Sequence, residues 1–277
     1  MDVALPGTTF MDGQRVDAAR LRPIDGHAEV VVEQRAVEGN PLAVAAVVLA
    51  HCVLQLRVGG AWREAAPDLD RLTVGDREAL LLRIAEASFG PRLDLVASCP
   101  APACGETLDL EVSVADLCLG PAEDAQEVYT APAADGSIVR FRLPTSADLE
   151  AIGGLAGQDP RAAADVLARR CLVAPDLLAA SHPDVAAAID GALAGLDPQA
   201  DIELTMACPA CGSTVTATFD AGEHLAAELV RRRADRDVSV HLLASQYHWS
   251  ETQILDLPIA RRRRYAELMA AALGEAG

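Results

Sequence analysis

Lysine is absent from this chain of 277 residues. All 23 basic side chains are arginine, set against 41 Asp and Glu, and the formal charge is −18. Such a deficit of cations argues against a broad nucleic-acid footprint, which needs basic side chains to displace counterions. Aromatic residues are also scarce, at 3%, so aliphatic side chains and alanine must fill the core. With 51% apolar residues, a disordered chain is excluded and a sizeable core is available. No apolar run reaches the roughly 20 residues of a membrane span. The longest, Pro41 to Leu56, contains His51 and Gln55, and no membrane partner is expected. The opening residues, MDVALPG, carry no basic stretch, so a cytoplasmic protein without a secretory signal is expected. No phosphate-cradling glycine loop, dinucleotide fingerprint or Ser-His-Asp set is visible. Neither catalysis nor a small-molecule substrate is therefore expected.

The remaining charge is unevenly spread. Residues 221–277 hold eight Arg and eight Asp or Glu, so the whole −18 lies in residues 1–220. Cysteine is sparse, seven in all, but four are patterned. Residues 93–110 read LDLVASCPAPACGETLDL, and residues 202–217 read IELTMACPACGSTVTA. Each is an apolar run, Cys-Pro, Cys-Gly and a second apolar run. That describes a β-hairpin whose tip presents two thiolates, with Gly supplying the positive φ of a tight turn. Cys99, Cys104, Cys208 and Cys211 together make a full set of soft ligands for tetrahedral Zn2+. An all-cysteine shell leaves no open position, so the zinc would be structural. The first loop, with four intervening residues, is wider than the second. Coincidental surface pairs or reversible disulfides within each pair are the competing reading. Cys52, Cys118 and Cys171 stand alone in or beside apolar helical runs and read as small buried hydrophobes.

Other patterns are weaker. His27 and Glu29, followed by Cys208 and Cys211, imitate the His-x-Glu and Pro-Cys-x-x-Cys arrangement of zinc deaminases. Residue 207, however, is Ala, the separation is long, and Cys99 and Cys104 would be left over. His51 and Cys52 are helical neighbours and do not face one another. Trp249 to Leu257 has the outline of a helix-turn-helix turn, with Arg261 to Arg264 as phosphate contacts. Glu251, Asp256 and Glu267 offset that basic run, which weakens a DNA-binding reading. Tyr247, Trp249 and Tyr265, with Arg262, form a candidate partner interface in a chain otherwise poor in such side chains.

The spacing assigns an α+β fold: a central four-Cys zinc ribbon built from two hairpin knuckles, surrounded by helical segments and a C-terminal helical hairpin. Residues 1–19 read as a flexible tail and 20–91 as an N-terminal helical segment. In the latter, one helix starts at Asn40-Pro41 and runs to about Leu56, and a second follows Thr73. Residues 92–112 and 201–219 are the two hairpins. Residues 113–200 hold a polar linker at Pro121–Glu127, a strand at Gly136–Leu143 and three Ala-rich helices. These helices start after Thr145 or Ser146, at Asp159-Pro160, and at Ser181 or His182. Residues 220–277 are helical, with capping boxes at Asp220 and Ser250.

Taken in order, several segments resemble the baseplate hub protein family of T-even phages, whose relatives occur in contractile tails and extracellular contractile injection systems. The segments are LRPIDG at 21–26, LTVGDREALLL at 72–82, Phe89-Gly90, both cysteine knuckles, FRLPTSADL at 141–149, HLLASQYHWS at 241–250, ILDLP at 254–258 and RRRRY at 261–265. The resemblance spans roughly residues 20–273. It implies a non-enzymatic structural part near the hub and spike, contacting other baseplate, hub and spike proteins within a phage-tail-like particle assembled in the bacterial cytoplasm. An assembly chaperone for the hub or tape measure, and a zinc-ribbon DNA-binding protein, are the alternatives.

Overall fold

A computed structural model describes residues 1–37, 39–133, 136–173 and 183–275. The N-terminal residues correct the expectation of a loose tail. They form β1 (Asp2–Ala4), β2 (Phe10–Met11) and β3 (Gln14–Leu21), and Leu5, Met11 and Val16 are buried. Asp12 and Gly13 join β2 to β3, both at positive φ. That is the two-residue primed turn that matches strand twist. After α1 (Gly26–Val37), α2 (Pro41–Cys52) starts where expected: Asn40 Oδ1 accepts the Ala43 amide, and Pro41 fills the first turn. It stops four residues short of Leu56. Residues from Val53 instead form β4 (Val53–Val58), which turns through Gly59-Gly60 into β5 (Ala61–Glu64). All five strands join one sheet, in the order β1-β3-β4-β5 with β2 also on β3.

Helix α3 (Val74–Phe89) lies at the centre of the largest core. Leu80, Leu81, Leu82 and Ile84 are fully buried beside residues of the sheet, α1 and α2. Its first turn is unusual because Asp76, Arg77 and Glu78 are all buried. Successive helix positions point about 100° apart, and Asp76 and Glu78 serve different neighbours. Asp76 accepts the amides of Gly7 and Thr9, each at 2.8 Å, and pins the loop before β2. Glu78 is paired with Arg77 and accepts the Ala221 amide at 3.0 Å. The Gly75 amide donates to Asp197 Oδ2 at 2.9 Å, and a Cβ on Gly75 would run into that carboxylate. The sequence Gly-Asp-Arg-Glu at 75–78 is therefore a packing junction.

Burial pushes the Asp197 carboxyl up to about 7; the Gly75 amide opposes the shift and the nearby Asp76 adds to it. A carboxyl whose folded pKa is raised binds its proton more tightly when folded, so its contribution is complete below the unfolded value near 3.8 and is lost as pH rises through about 7. Thermal melts at pH 5 and pH 8 should therefore show a larger drop for the wild type than for Asp197→Asn. Equal drops would mean that Asp197 is ionised in the folded chain.

Beyond α3 comes the first hairpin, β6 (Arg92–Ser98) and β7 (Thr107–Ser113), then the short α4 (Val114–Leu117). A lobe follows, built from β8 (Tyr129–Pro132), β9 (Ile138–Phe141), α5 (Ser146–Ala156), α6 (Pro160–Cys171) and α7 (Pro183–Leu196). Its own core centres on Phe141, Cys171 and Ile189. The starts of α5 and α6 follow the expected caps, Thr145 and Asp159. The anticipated start of the third helix at Ser181 or His182 lies outside the described residues. The second hairpin is β10 (Ile202–Ala207) with β11 (Thr214–Phe219). The chain ends in α8 (Ala221–Arg231), α9 (Arg233–Tyr247), α10 (Glu251–Leu255) and α11 (Ile259–Glu275). The fold is α+β. Among the described residues no helix is long and apolar enough to cross a membrane.

Candidate metal centre

Each cysteine sits at a hairpin tip because the local sequence turns there. The Cys99 amide donates to the Glu106 carbonyl at 2.8 Å, and the Cys104 amide to the Ala101 carbonyl at 2.9 Å. In the second hairpin the Cys208 amide donates to Ser213 and the Gly212 amide to Cys208, both at 2.8 Å. Gly105 and Gly212 lie at φ 61° and 74°, the conformation expected of each Cys-Gly step. The hairpins pack together through a small cluster of Ala97, Cys99, Leu108, Cys208 and Val215, separate from the main core.

This packing brings the four sulfurs within 4.8 Å of one another. The closest pairs run between hairpins: Cys99 to Cys211 at 3.6 Å and Cys104 to Cys208 at 3.8 Å. A zinc ion about 2.3 Å from each of four sulfurs spaces them about 3.8 Å apart, so the donor set fits that ion. The separations are far beyond an S–S bond of about 2.05 Å, and all four cysteines are free thiols. Ser213, through its hydroxyl and its amide, and then Cys104 and Cys99, hold the Cys211 thiol down to about 6. Cys99 moves the other way, up to about 12. The Ala101 amide favours its thiolate, but burial and hydrogen bonds with Cys211, Cys208 and Cys104 outweigh it. A bound dication would remove that conflict by favouring four thiolates at once. The sequence reading missed Ser213, whose side chain becomes a sulfur partner only when the knuckle turns.

The deaminase-like residues do not join this centre. Glu29 is buried against Arg262, and His27 meets Asp256 at 3.1 Å. Among the described residues the four cysteines are the one group able to hold a metal. His51 bonds Asp25 at 2.7 Å, while burial pushes the Cys52 thiol up to about 12, so these neighbours act apart.

The expected interface residues divide. Tyr247 stacks on Trp249 at 5.1 Å, and Tyr265 meets Trp249 edge-on at 5.6 Å. Tyr247 is 41% exposed, and Arg261 lies over the Tyr265 ring. Arg262 is a correction. It faces inward, 3% exposed, and its charge is taken up by Glu29 on α1. In a run of four arginines on a helix, one side must meet the core, and Arg262 occupies that side.

The geometry places four thiols from two separate hairpins in one cluster compatible with metal binding. Residues 59–171 match the model of a family described as T4 bacteriophage base plate protein. Over that stretch, from the β4–β5 turn to the end of α6, the chain is similar to a phage baseplate protein family. The match takes in the Gly-Asp-Arg-Glu junction, Cys99 and Cys104, whereas Cys208 and Cys211 lie beyond it. No curated protein and no solved structure matches the chain.

Proposed function

We propose that the protein is a non-enzymatic structural component of a contractile phage-tail-like baseplate, positioned near the hub and spike and stapled by one structural Zn2+ on Cys99, Cys104, Cys208 and Cys211. One observation carries the reading. Sulfurs from two hairpins about a hundred residues apart converge within 4.8 Å of one another, and the first of those hairpins lies inside the baseplate-family match. A saturated thiolate shell has no position for substrate, so its use is to hold distant segments together. Such a clamp suits a part that must pass mechanical load without opening. The particle would assemble in the bacterial cytoplasm, with other baseplate, hub and spike proteins as partners.

Mass spectrometry of purified particles tests the assignment. The chain should be present at fixed stoichiometry. Recovery with assembly intermediates but absence from finished particles would instead assign a chaperone.

The aromatic knob of exposed Tyr247 and half-buried Trp249 and Tyr265 is the proposed anchor for a neighbouring subunit, because aromatic clusters at a surface concentrate binding energy. Trp249→Ala combined with Tyr247→Ala should lower incorporation into particles at least about tenfold, corresponding to about 1.4 kcal/mol or more, while shifting the melting temperature little. A large loss of stability with normal incorporation would make the cluster a folding element.

A further inference from the structure

The two hairpins meet at their cysteine tips and leave an open cleft of about 340 Å3 towards their roots, backed by α8. Four consecutive residues of β6 (Asp94, Leu95, Val96, Ala97) and three of β11 (Ala217, Thr218, Phe219) line it, whereas β7 and β10 contribute one residue each, Leu110 and Leu204. Successive strand side chains point to opposite faces. A cavity that touches several in a row therefore runs along a strand edge.

Those edges are free. Cys99 bonds Glu106 at the head of the first hairpin, and bonded pairs then alternate along an antiparallel ladder. Leu95 and Ala97 thus turn their backbone groups towards β7, and Asp94 and Val96 turn theirs outward. The Cys208–Ser213 bond sets the same count for the second hairpin: Ala217 bonds inward, while Thr216 and Thr218 face out. Among the described residues, none of these four outward residues makes a backbone hydrogen bond beyond its own hairpin. Val96 is 70% exposed. Unpaired edges of this kind add an incoming strand.

The chemistry of the cleft selects the strand. Leu95, Leu110, Leu204, Ala217 and Phe219 give it apolar lining. Asp94, Asp220 and Glu223 surround that lining and none of them makes a salt bridge among the described residues, although Asp220 caps α8 through the Glu223 amide and His224 lies near Asp94, whereas Glu228 is already taken by Arg231 and Arg232. Carboxylates left unneutralised beside an apolar cleft favour cations. We infer that this cleft captures an extended segment of a partner protein in which apolar residues alternate with Lys or Arg, added as a strand along the free edges of β6 and β11. A second copy of this chain is a poorer fit, since its own basic run, Arg261 to Arg264, is helical.

The probe is a fluorescent nonapeptide of alternating Val and Arg, titrated into the full-length, zinc-loaded protein. Three proteins are compared: wild type, Asp94→Arg/Glu223→Arg in the cleft, and Glu123→Arg/Asp124→Arg elsewhere on the surface with the same change of charge. The cleft pair should weaken binding about tenfold while the distant pair keeps near wild-type affinity, and amide exchange at Val96 and Thr218 should slow when peptide is bound. Absence of binding, equal weakening by both pairs, or unchanged exchange at those amides would each overturn the inference.

Discussion

Replacing Cys208 and Cys211 together with serine is expected to abolish stoichiometric zinc binding and to open the ribbon while the rest of the chain stays folded. Removal of two of four thiolates leaves an incomplete shell, and structural zinc sites in small peptides hold about 10–16 kcal/mol of binding free energy that is also folding free energy. How that loss is felt depends on what else packs the hairpins. Leu93, with Leu95, Val112, Ile202, Leu204 and Phe219, belongs to or lies against the main core, so the hairpin roots are held independently of metal. The tips have only the small cluster around Ala97, Leu108 and Val215, and the two hairpins form separate two-stranded sheets. An isolated hairpin is marginal in water. Hydrogen exchange should therefore quicken near residues 99–108 and 206–214, while α3 keeps its protection and melting acquires an early step, which a chelator should induce in the wild type and leave unchanged in the variant. Elemental analysis should give one zinc per wild-type chain and none in the double variant, with Cys118→Ser as a control that retains it. Wild-type protein free of metal, or tips equally protected with and without it, would show that no metal staples the hairpins.

The cysteine knuckles were legible in the sequence because ligand type, spacing and turn residue all coincide within a few positions. Helix starts were legible for a similar reason: Asn40, Thr73, Thr145, Asp159, Asp220 and Ser250 each cap the helix they announce, and a cap is a local interaction. The N-terminal sheet was less visible, although its turns are explicit. Asp12-Gly13 and Gly59-Gly60 are both two-residue hairpin turns at positive φ. The strand Val53–Val58 was absorbed into α2 because the apolar run continues without a break from helix to strand. A run buried on several sides has no period by which to tell the two apart. The α3 junction could not be read at all. Asp76 reaches Gly7 and Thr9, and Gly75 reaches Asp197, across 67 to 122 positions; no spacing rule encodes contacts that only the tertiary fold creates. Arg262 shows the same limit. Its neighbours Arg261, Arg263 and Arg264 are exposed, and only the position of α1 decides which of the four turns inward.

That inward arginine gives the second large effect. Glu29 and Arg262 join α1 to α11 while both are almost fully buried, and Gly26 leaves the room Arg262 needs, since a Cβ there would crowd both Arg262 and Leu255. Arg262→Leu strands a carboxylate in the interior, and Glu29→Leu strands a guanidinium whose Nη1 already has no partner. Breaking a buried pair on one side costs about 3–5 kcal/mol, whereas replacing both partners by apolar residues is often neutral or stabilising. The double variant should therefore be more stable than either single one, with a coupling of about 2 kcal/mol or more in a denaturation cycle. The pH dependence separates the two single variants. Burial already raises the Glu29 carboxyl, and Arg262 opposes that rise. Without the arginine the folded pKa climbs further, so Arg262→Leu should be least damaging near pH 5 and increasingly so towards pH 8, as the proton is lost from the folded state. Glu29→Leu lacks that carboxyl and should show no such trend. Costs that simply add in the double variant, or a pH-independent Arg262→Leu, would show that the pair is not the contact holding α11, and with it Tyr265, against α1.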